Sequence, residues 1–118
     1  MDIAVQSDLD QTLVALADPT RRAILQRLAQ GEARVTELAR PFAISLNSVS
    51  KHIRVLERAR LVRRRRAGRE HLMSFDAPPL DEFAAWIEAQ RAFWTTRLDA
   101  LERELSKPET QRKTRSRR

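Results

Sequence analysis

One stretch of the chain, residues 45–75, joins a two-faced helical pattern to a strongly basic segment. At 100° per residue, residues 46–60 place apolar side chains on one side and amide or cationic side chains on the other. The apolar row is Leu46, Val49, Ile53 and Leu56, and the opposite row, here called the basic face, is Asn47, Lys51, Arg54 and Arg58. One side can enter a core while the basic face contacts a polyanion. The pattern predicts a helix that lies in the major groove of duplex DNA.

A β-hairpin is predicted directly after this helix. Residues 61–66, which include four consecutive arginines, form its first strand, and residues 71–75 form its second. The turn falls at Ala67-Gly68-Arg69, so Arg69 is expected at the exposed tip. A basic hairpin beside a DNA-reading helix is the wing of a winged helix, suited to phosphates or to the minor groove. The alternative is a solvated edge strand whose charges oppose aggregation.

The net charge of the chain, +7, is unevenly distributed. Residues 51–71 carry +7 and residues 107–118 carry +5, which leaves −5 for the remainder. Clustered positive charge on a near-neutral to acidic body indicates phosphate binding. A solvated charged surface is the alternative for the internal cluster.

Three short helices are predicted before the two-faced helix. Residues 8–17 have leucines at helical spacing. Asp18 is suited to cap a second helix, and Pro19 suits its first position, where the missing amide donor is not needed. This second helix is expected to end at Gly31 as a C-terminal cap. A third helix begins at about Val35 and is kept short by Pro41.

The third helix and the two-faced helix together predict a helix-turn-helix. A connection of about three residues separates them, and the Ser45 hydroxyl can cap the amides of the second. Similar spacing occurs in other three-helix bundles, and the hairpin that follows favours the winged form. The predicted fold class is mainly α with a small β-hairpin wing, a winged helix-turn-helix.

A long helix, residues 80–106, has more apolar surface than one small domain can cover. Its main apolar row has a heptad-like spacing, and a second row lies beside it. The surplus predicts a homodimer formed through the terminal helices, and an intramolecular core is the alternative. The predicted interface residues are Leu9, Leu13, Leu16, Ile87, Trp94, Leu98, Leu101 and Leu105.

Composition limits the other classes of protein. The absence of cysteine excludes disulfides and thiolate metal sites, and no apolar run approaches the roughly 18 residues of a membrane span. We expect a cytoplasmic protein with one domain, residues 1–106, and a basic disordered tail, residues 107–118. With two glycines and no nucleophile paired with a histidine, an enzyme is not expected.

Four segments resemble the ArsR/SmtB family of bacterial winged-helix repressors. They read LADPTRRAILQRL (16–28), VTELA (35–39), SLNSVSKHIRVLERARLVRRRRAGREH (45–71) and the closing long helix, and cover about residues 8–105. The resemblance implies a homodimer that binds an imperfect palindrome, blocks its own promoter and releases the DNA on a signal. The operator sequence and any small-molecule effector are left open.

One departure from the family concerns metal ions. Metal-sensing members place cysteines within the helix that here reads ELARPF, or histidines and carboxylates along the last helix, where this chain has no histidine. A metal ion needs several ligands at bonding distance. The chain therefore resembles a branch without metal sites, and no cofactor is expected. His52 is expected to be structural, at the junction of helix and wing, and His71 to pack on a strand face.

The predicted function is that of a dimeric, sequence-specific transcriptional regulator that represses from a palindromic operator in double-stranded DNA. An architectural or non-specific DNA-binding protein and a winged helix that binds a protein partner are the alternatives. The basic face argues against the protein partner, since interface cores are depleted in charge. The predicted DNA-contacting residues are Asn47, Ser48, Lys51, Arg54, Arg58, Arg64, Arg66 and Arg69.

Overall fold

The computed structural model describes residues 3–108. Helices and a small antiparallel sheet follow one another in the order of a winged helix-turn-helix, so the predicted fold class is confirmed. The elements are α1 (Ile3–Leu16), α2 (Pro19–Leu28), β1 (Ala33–Arg34), α3 (Val35–Ala39), α4 (Leu46–Arg58), β2 (Val62–Ala67), β3 (Glu70–Phe75) and α5 (Pro78–Ser106).

Side-chain caps set where α2 and α4 begin. The Asp18 carboxylate accepts a hydrogen bond from the Arg21 backbone N–H at 3.0 Å, and Pro19 follows the cap. This hydrogen bond holds the pKa of the Asp18 carboxyl below its ordinary value. Ser45 caps α4 in the same way, because its Oγ accepts from the Ser48 backbone N–H at 3.1 Å. Both predicted N-caps are confirmed.

The core lies where α2, α3 and α4 meet the sheet. From α4, Val49, Ile53 and Leu56 enter it, and none is more than 1% exposed. Each large apolar side chain buried in this way contributes roughly 1.5–3 kcal/mol relative to an exposed one. The other elements supply further core side chains, among them Ile24, Leu28, Leu38 and Met73, and Leu61 joins them from the connection between α4 and β2.

Two expectations about helix ends are wrong. Leu46 was expected in the apolar row of α4 but is 50% exposed, because it lies in the first turn, ahead of the first buried residue, Val49. The C-cap of α2 is Ala29 rather than Gly31. Gly31 lies two residues beyond that cap, with a positive φ of 146°.

The sheet has a third strand that the sequence pattern did not predict. Its order is β1-β3-β2, and Ala33 of β1 is buried opposite Met73 of β3. A strand of two residues is too short to have a period-2 pattern. Because β1 runs directly into α3, its pairing with β3 ties the hairpin to the helix-turn-helix. A two-residue turn joins β2 to β3, with Gly68 at a φ of 65°.

The end of α4 fixes where the chain enters the wing. Arg60 has a φ of 60°, a left-handed conformation that glycine more often adopts. The Leu61 N–H donates to the Leu56 carbonyl at 3.0 Å and the Arg60 N–H to the Glu57 carbonyl at 2.9 Å, which is a Schellman motif. Leu56 and Leu61 are both fully buried. The motif therefore joins α4 to β2 through the core.

The chain divides into two compact units, Met1–Phe83 and Ala84–Arg118. The first contains α1 to α4, the sheet and the start of α5, and the second contains the remainder of α5. None of the helices within residues 3–108 combines the length and the apolar sequence that a membrane span requires. The predicted tail lies outside the described residues from residue 109 onward, and the predicted domain end at residue 106 stays a prediction.

Candidate nucleic-acid interface

The basic face of α4 is exposed at all four of its positions. On the opposite side of the same helix lie the buried core residues, so the face is held outward by the packing behind it. Among the ion pairs of residues 3–108, none involves Lys51, Arg54 or Arg58. Three cations and the Asn47 amide are therefore open to a ligand.

Ser48 differs from the rest of the predicted DNA-contacting set on α4. It is half-buried, and its Oγ accepts a hydrogen bond from the Ser45 Oγ at 3.1 Å. Its backbone N–H is bonded to the same Ser45 oxygen. In this structure Ser48 is part of the helix cap, and its contact with DNA stays a prediction.

Three of the four consecutive arginines in β2 already have a carboxylate partner. The carboxylates come from three different places in the fold: the residue before β1, the helix α4 and the residue after β3. The pairs are Arg63–Asp76 at 3.0 Å, Arg64–Glu57 at 2.8 Å and Arg65–Glu32 at 2.7 Å. Hydrogen bonds to these partners raise the pKa of the Arg64 and Arg65 guanidinium groups above the ordinary value.

Of these three ion pairs, the one between Arg64 and Glu57 is best suited to hold two elements in a fixed position. Both Nε and Nη2 of Arg64 donate to the carboxylate, at 3.3 and 2.8 Å. The two side chains are only 32% and 31% exposed. Since Glu57 belongs to α4 and Arg64 to β2, the pair holds the hairpin of β2 and β3 against α4. This favours a positioning role for Arg64 over the phosphate contact that the sequence predicted.

The tip of the wing carries the remaining candidate contacts. The Arg66 Nε donates to the Gly68 carbonyl at 3.1 Å, and Arg69 is exposed within the turn. Neither arginine takes part in an ion pair among the described residues. His71 is exposed and lies opposite Arg66 in the sheet rather than packing on a strand face. Arg66 and Arg69 therefore stay predicted phosphate contacts.

His52, on α4, faces the start of α2 and does not lie at the predicted junction of helix and wing. Its Nδ1 is 3.2 Å from Arg21 Nη1 and 3.8 Å from Asp18 Oδ2. The same guanidinium donates to the carbonyl oxygens of Val14 and Ala15, at 2.8 and 2.9 Å. Arg21 therefore caps the C-terminal end of α1 and connects it to α4, in agreement with a structural role for His52.

The predicted interface residues of α1 are unequally exposed. Leu13 is 41% exposed, Leu9 is partly buried and Leu16 packs against the core of its own chain. Val14, which the sequence pattern did not single out, is 58% exposed. A surface on α1 that binds a partner would therefore use Leu13 and Val14 more than Leu16.

In α5, the predicted interface row is exposed along the helix. Phe93 and Trp94 meet edge to face with ring centroids 5.9 Å apart, and the Arg97 guanidinium lies 5.6 Å from the centre of the Phe93 ring. Exposed leucines and aromatics at heptad-like spacing are typical of a helix that packs against another helix. The exposed fractions are 45% for Ile87, 60% for Trp94, 59% for Leu98, 55% for Leu101 and 64% for Leu105.

The sequence pattern did not predict which carboxylates pair with the arginines of β2, nor that Leu46 is exposed. Asp76 could have been found from the hairpin register, which brings the residue after β3 towards Arg63. Glu32 approaches β2 only because β1 joins the sheet, and that strand has no sequence signal. In the part of the chain that the structure describes, no three His, Asp or Glu side chains form a group that could hold a metal ion.

A comparison with protein families matches residues 16–65 to the family described as "Helix-turn-helix domain". The HTH-type transcriptional regulator Rv2034 of Mycobacterium tuberculosis is 43% identical over 89 residues, which are 75% of this chain and 80% of that protein. The transcriptional repressor SdpR of Bacillus subtilis is 30% identical over 79 residues, which are 67% of this chain and 88% of that protein. The similarity thus extends beyond the helix-turn-helix.

Solved structures share the same fold. An ArsR-like transcriptional regulator from Rhodococcus sp. RHA1 has a TM-score of 0.76 and 28% identity, and the match covers 86% of this chain and 95% of that one. A homodimeric winged helix-turn-helix DNA-binding domain, Mb0332 from Mycobacterium bovis, has a TM-score of 0.59 and 25% identity, with coverage of 82% and 87%.

Proposed function

The chain belongs to the ArsR/SmtB family of winged helix-turn-helix transcriptional regulators, since it is also 40% identical to the ArsR family transcriptional regulator RHA00566, of which it covers 93%. We propose that it is a homodimeric repressor of a palindromic DNA operator and that it senses no metal ion. DNA binding and transcription regulation follow from the family. The operator's symmetry, the repression and the independence from metals are proposed from the surfaces of this chain and from its residues.

The basic face of α4 is the observation that carries the proposal. A helix with a buried side and an unpaired cationic side fits the major groove of B-DNA. There an asparagine can pair with adenine N6 and N7, and an arginine or lysine with guanine O6 and N7. Lys51 and Arg54 are proposed to read bases or phosphates, with Asn47 at the start of the helix. Arg58 is proposed to hold a phosphate.

The wing is proposed to contact the DNA through its tip. Arg66 and Arg69 supply the phosphate contacts, and Arg69, in the turn itself, is the better placed of the two to enter the minor groove. Arg64 is proposed to set the angle of the wing through its bond to Glu57. In this arrangement the sequence is read by α4, while the wing adds affinity that depends weakly on sequence.

Self-association is supported by the exposed apolar row of α5 and by the relative Mb0332, which is a homodimer. Two copies of α4 related by a two-fold axis would read half-sites about 34 Å apart, one turn of DNA. A site that overlaps a promoter would then exclude RNA polymerase, which is the proposed basis of repression. The relative SdpR is named a repressor, in agreement with this direction of control.

Metal-independent release is supported by ligand chemistry. The chain has no cysteine and two histidines, and no histidine follows His71. His52 is already bonded to Arg21. A structural zinc site needs about four cysteine, histidine or carboxylate ligands around one centre, and within residues 3–108 no three such side chains are grouped. The proposed place of action is the cytoplasm, where promoters are.

Selection of duplex DNA by the purified protein tests the proposal. A random-sequence pool supplemented with the region upstream of the protein's own coding sequence should yield one palindrome, with half-sites one turn apart. The variant Lys51→Ala/Arg54→Ala, which changes two exposed side chains, should enrich no sequence. Equal retention of all duplexes would indicate an architectural or non-specific DNA-binding protein. No retention of any duplex would favour a winged helix that binds a protein partner.

Sedimentation equilibrium tests the dimer separately. Leu98→Glu places a charge in the exposed row of α5 and should convert the dimer to a monomer, because an unpaired charge is costly in an apolar interface. Thr96→Glu, about 160° around the same helix from Leu98 and also exposed, is the matched control and should remain dimeric. Monomers for the unmodified protein at micromolar concentration would reject the homodimer.

A further inference from the structure

We propose that Leu46 contacts the C5 methyl group of a thymine in the major groove and thereby sets one position of the operator sequence. The inference rests on the proposed DNA-reading function of α4. It adds to that function a residue outside the basic face and the base that this residue selects.

The position of Leu46 in the fold is the first observation. It is the first residue of α4, directly after the cap Ser45, and its side chain is 50% exposed. The next apolar residue in its row, Val49, is fully buried. In a helix-turn-helix, the N-terminal residues of the recognition helix are the ones that contact base edges. Leu46 is therefore an exposed apolar side chain at the place where bases are read.

The chemistry of the surroundings restricts the partner of Leu46. Asn47, the next residue, is an exposed amide, and about one and two turns beyond it Lys51 and Arg54 are exposed cations without an ion pair among the described residues. Their charge commits this end of α4 to a polyanion rather than to an apolar protein surface. Along the major groove, the thymine methyl is the apolar group that a base pair presents. The proposed partner of Leu46 is therefore a thymine, either in the base pair that Asn47 reads or in the adjacent base pair.

Ile44 provides the matched comparison. It is 40% exposed, close to the value for Leu46, but it precedes the cap. An apolar residue at that position commonly packs against the fourth helical residue, here Val49, in a hydrophobic staple. Ile44 thus has a structural role available to it that Leu46, inside the first turn, lacks. The two side chains are similar in size and only two residues apart, so they separate a base contact from a general apolar effect.

Deoxyuridine substitution tests the contact without altering the protein. In the selected operator, each thymine is replaced in turn by deoxyuridine, which removes the C5 methyl and keeps the base pair. Fluorescence anisotropy then gives the affinity of the unmodified protein, Leu46→Ala and Ile44→Ala for each duplex. At one thymine per half-site, the unmodified protein should lose about fourfold in affinity, the effect of one buried methyl group. Leu46→Ala should bind the thymine and uridine duplexes equally, and Ile44→Ala should keep the fourfold difference.

The contrary outcomes are distinct. If the unmodified protein binds every uridine duplex as tightly as the thymine operator, the methyl contact is rejected while the DNA-reading function stands. Full discrimination by Leu46→Ala would also reject it, as would loss of discrimination in Ile44→Ala alone. Failure to select any sequence, in contrast, would reject the proposed function itself. Thermal denaturation of the two variants confirms that each is folded before its affinities are compared.

Discussion

Two arginine-rich surfaces of this protein differ in what their charges already contact. Within the described residues, the cations of the basic face have no carboxylate partner, whereas Arg63, Arg64 and Arg65 in β2 are each within 3.0 Å of one. The number of arginines alone would make β2 the stronger DNA-binding element. The ion pairs favour the reverse order, because each carboxylate neutralises the charge of its guanidinium and occupies part of its N–H donors.

The difference shows that a run of arginines can serve the fold. Three carboxylates neutralise most of β2 and connect it to α4, to the start of β1 and to the end of β3. Ion pairs of this exposure are individually weak, on the order of 0–1 kcal/mol. Together they restrict the orientation of the wing. The positive charge that remains available lies on α4 and at the wing tip.

The largest expected effect on operator binding comes from removing a cation of the basic face of α4, which has no carboxylate partner. Arg54→Ala should weaken operator binding by about 1–3 kcal/mol if the guanidinium reads a base, and it should relax the preference at one operator position. Fluorescence anisotropy with single base-pair substitutions measures both effects. Because Arg54 is exposed, the free energy of unfolding should change by less than about 0.5 kcal/mol. Operator affinity equal to that of the unmodified protein would remove Arg54 from the interface.

A smaller effect, on stability rather than on binding, is expected for an arginine used wholly within the fold. Arg21→Ala removes two hydrogen bonds to the end of α1 and the contact with His52, and should lower the free energy of unfolding by about 1–2 kcal/mol. Arg22→Ala is the control, since Arg22 makes one exposed bond, to the Leu16 carbonyl. Urea denaturation measures both. Equal destabilisation by the two variants would contradict the role of Arg21 in connecting the end of α1 to α4.

The order of the elements other than β1, both N-caps and the exposure of the basic face follow from the sequence, because each has a local signal. Asp18-Pro19 and Ser45 mark helix starts, and the spacing of Lys51, Arg54 and Arg58 marks a helix face. The ion pairs of β2 could not be predicted in this way. They join residues between 7 and 33 positions apart along the chain, and their partners depend on the sheet register and on a strand of two residues. The sequence shows only the charge of Arg64, which predicts a phosphate contact; the ion pair with Glu57, which favours a positioning role, depends on the fold.

A still smaller effect on DNA binding is expected from removing an arginine at the wing tip, and none from removing a paired arginine in the strand β2. Arg69→Ala should weaken binding by less than about 1 kcal/mol per protomer across all sequences, and it should lower the slope of log affinity against log salt concentration by about two units, one for each protomer of the dimer. Arg65→Ala, in the same wing but paired with Glu32, is the matched control and should leave the slope unchanged. If both variants lower the slope equally, the paired arginine also contacts phosphate.

The central claim is that the basic face of α4 contacts the DNA and that the three paired arginines of β2 do not. It is tested most directly by the salt dependence of operator affinity in two triple variants. Lys51/Arg54/Arg58→Gln and Arg63/Arg64/Arg65→Gln each remove three positive charges, so their net charges are equal. Because the homodimer loses two copies of each of the three cations, the slope of log affinity against log salt concentration should fall by about four to five units in the first variant. It should stay within about half a unit of the unmodified protein in the second. A larger fall in the second variant than in the first would contradict the claim.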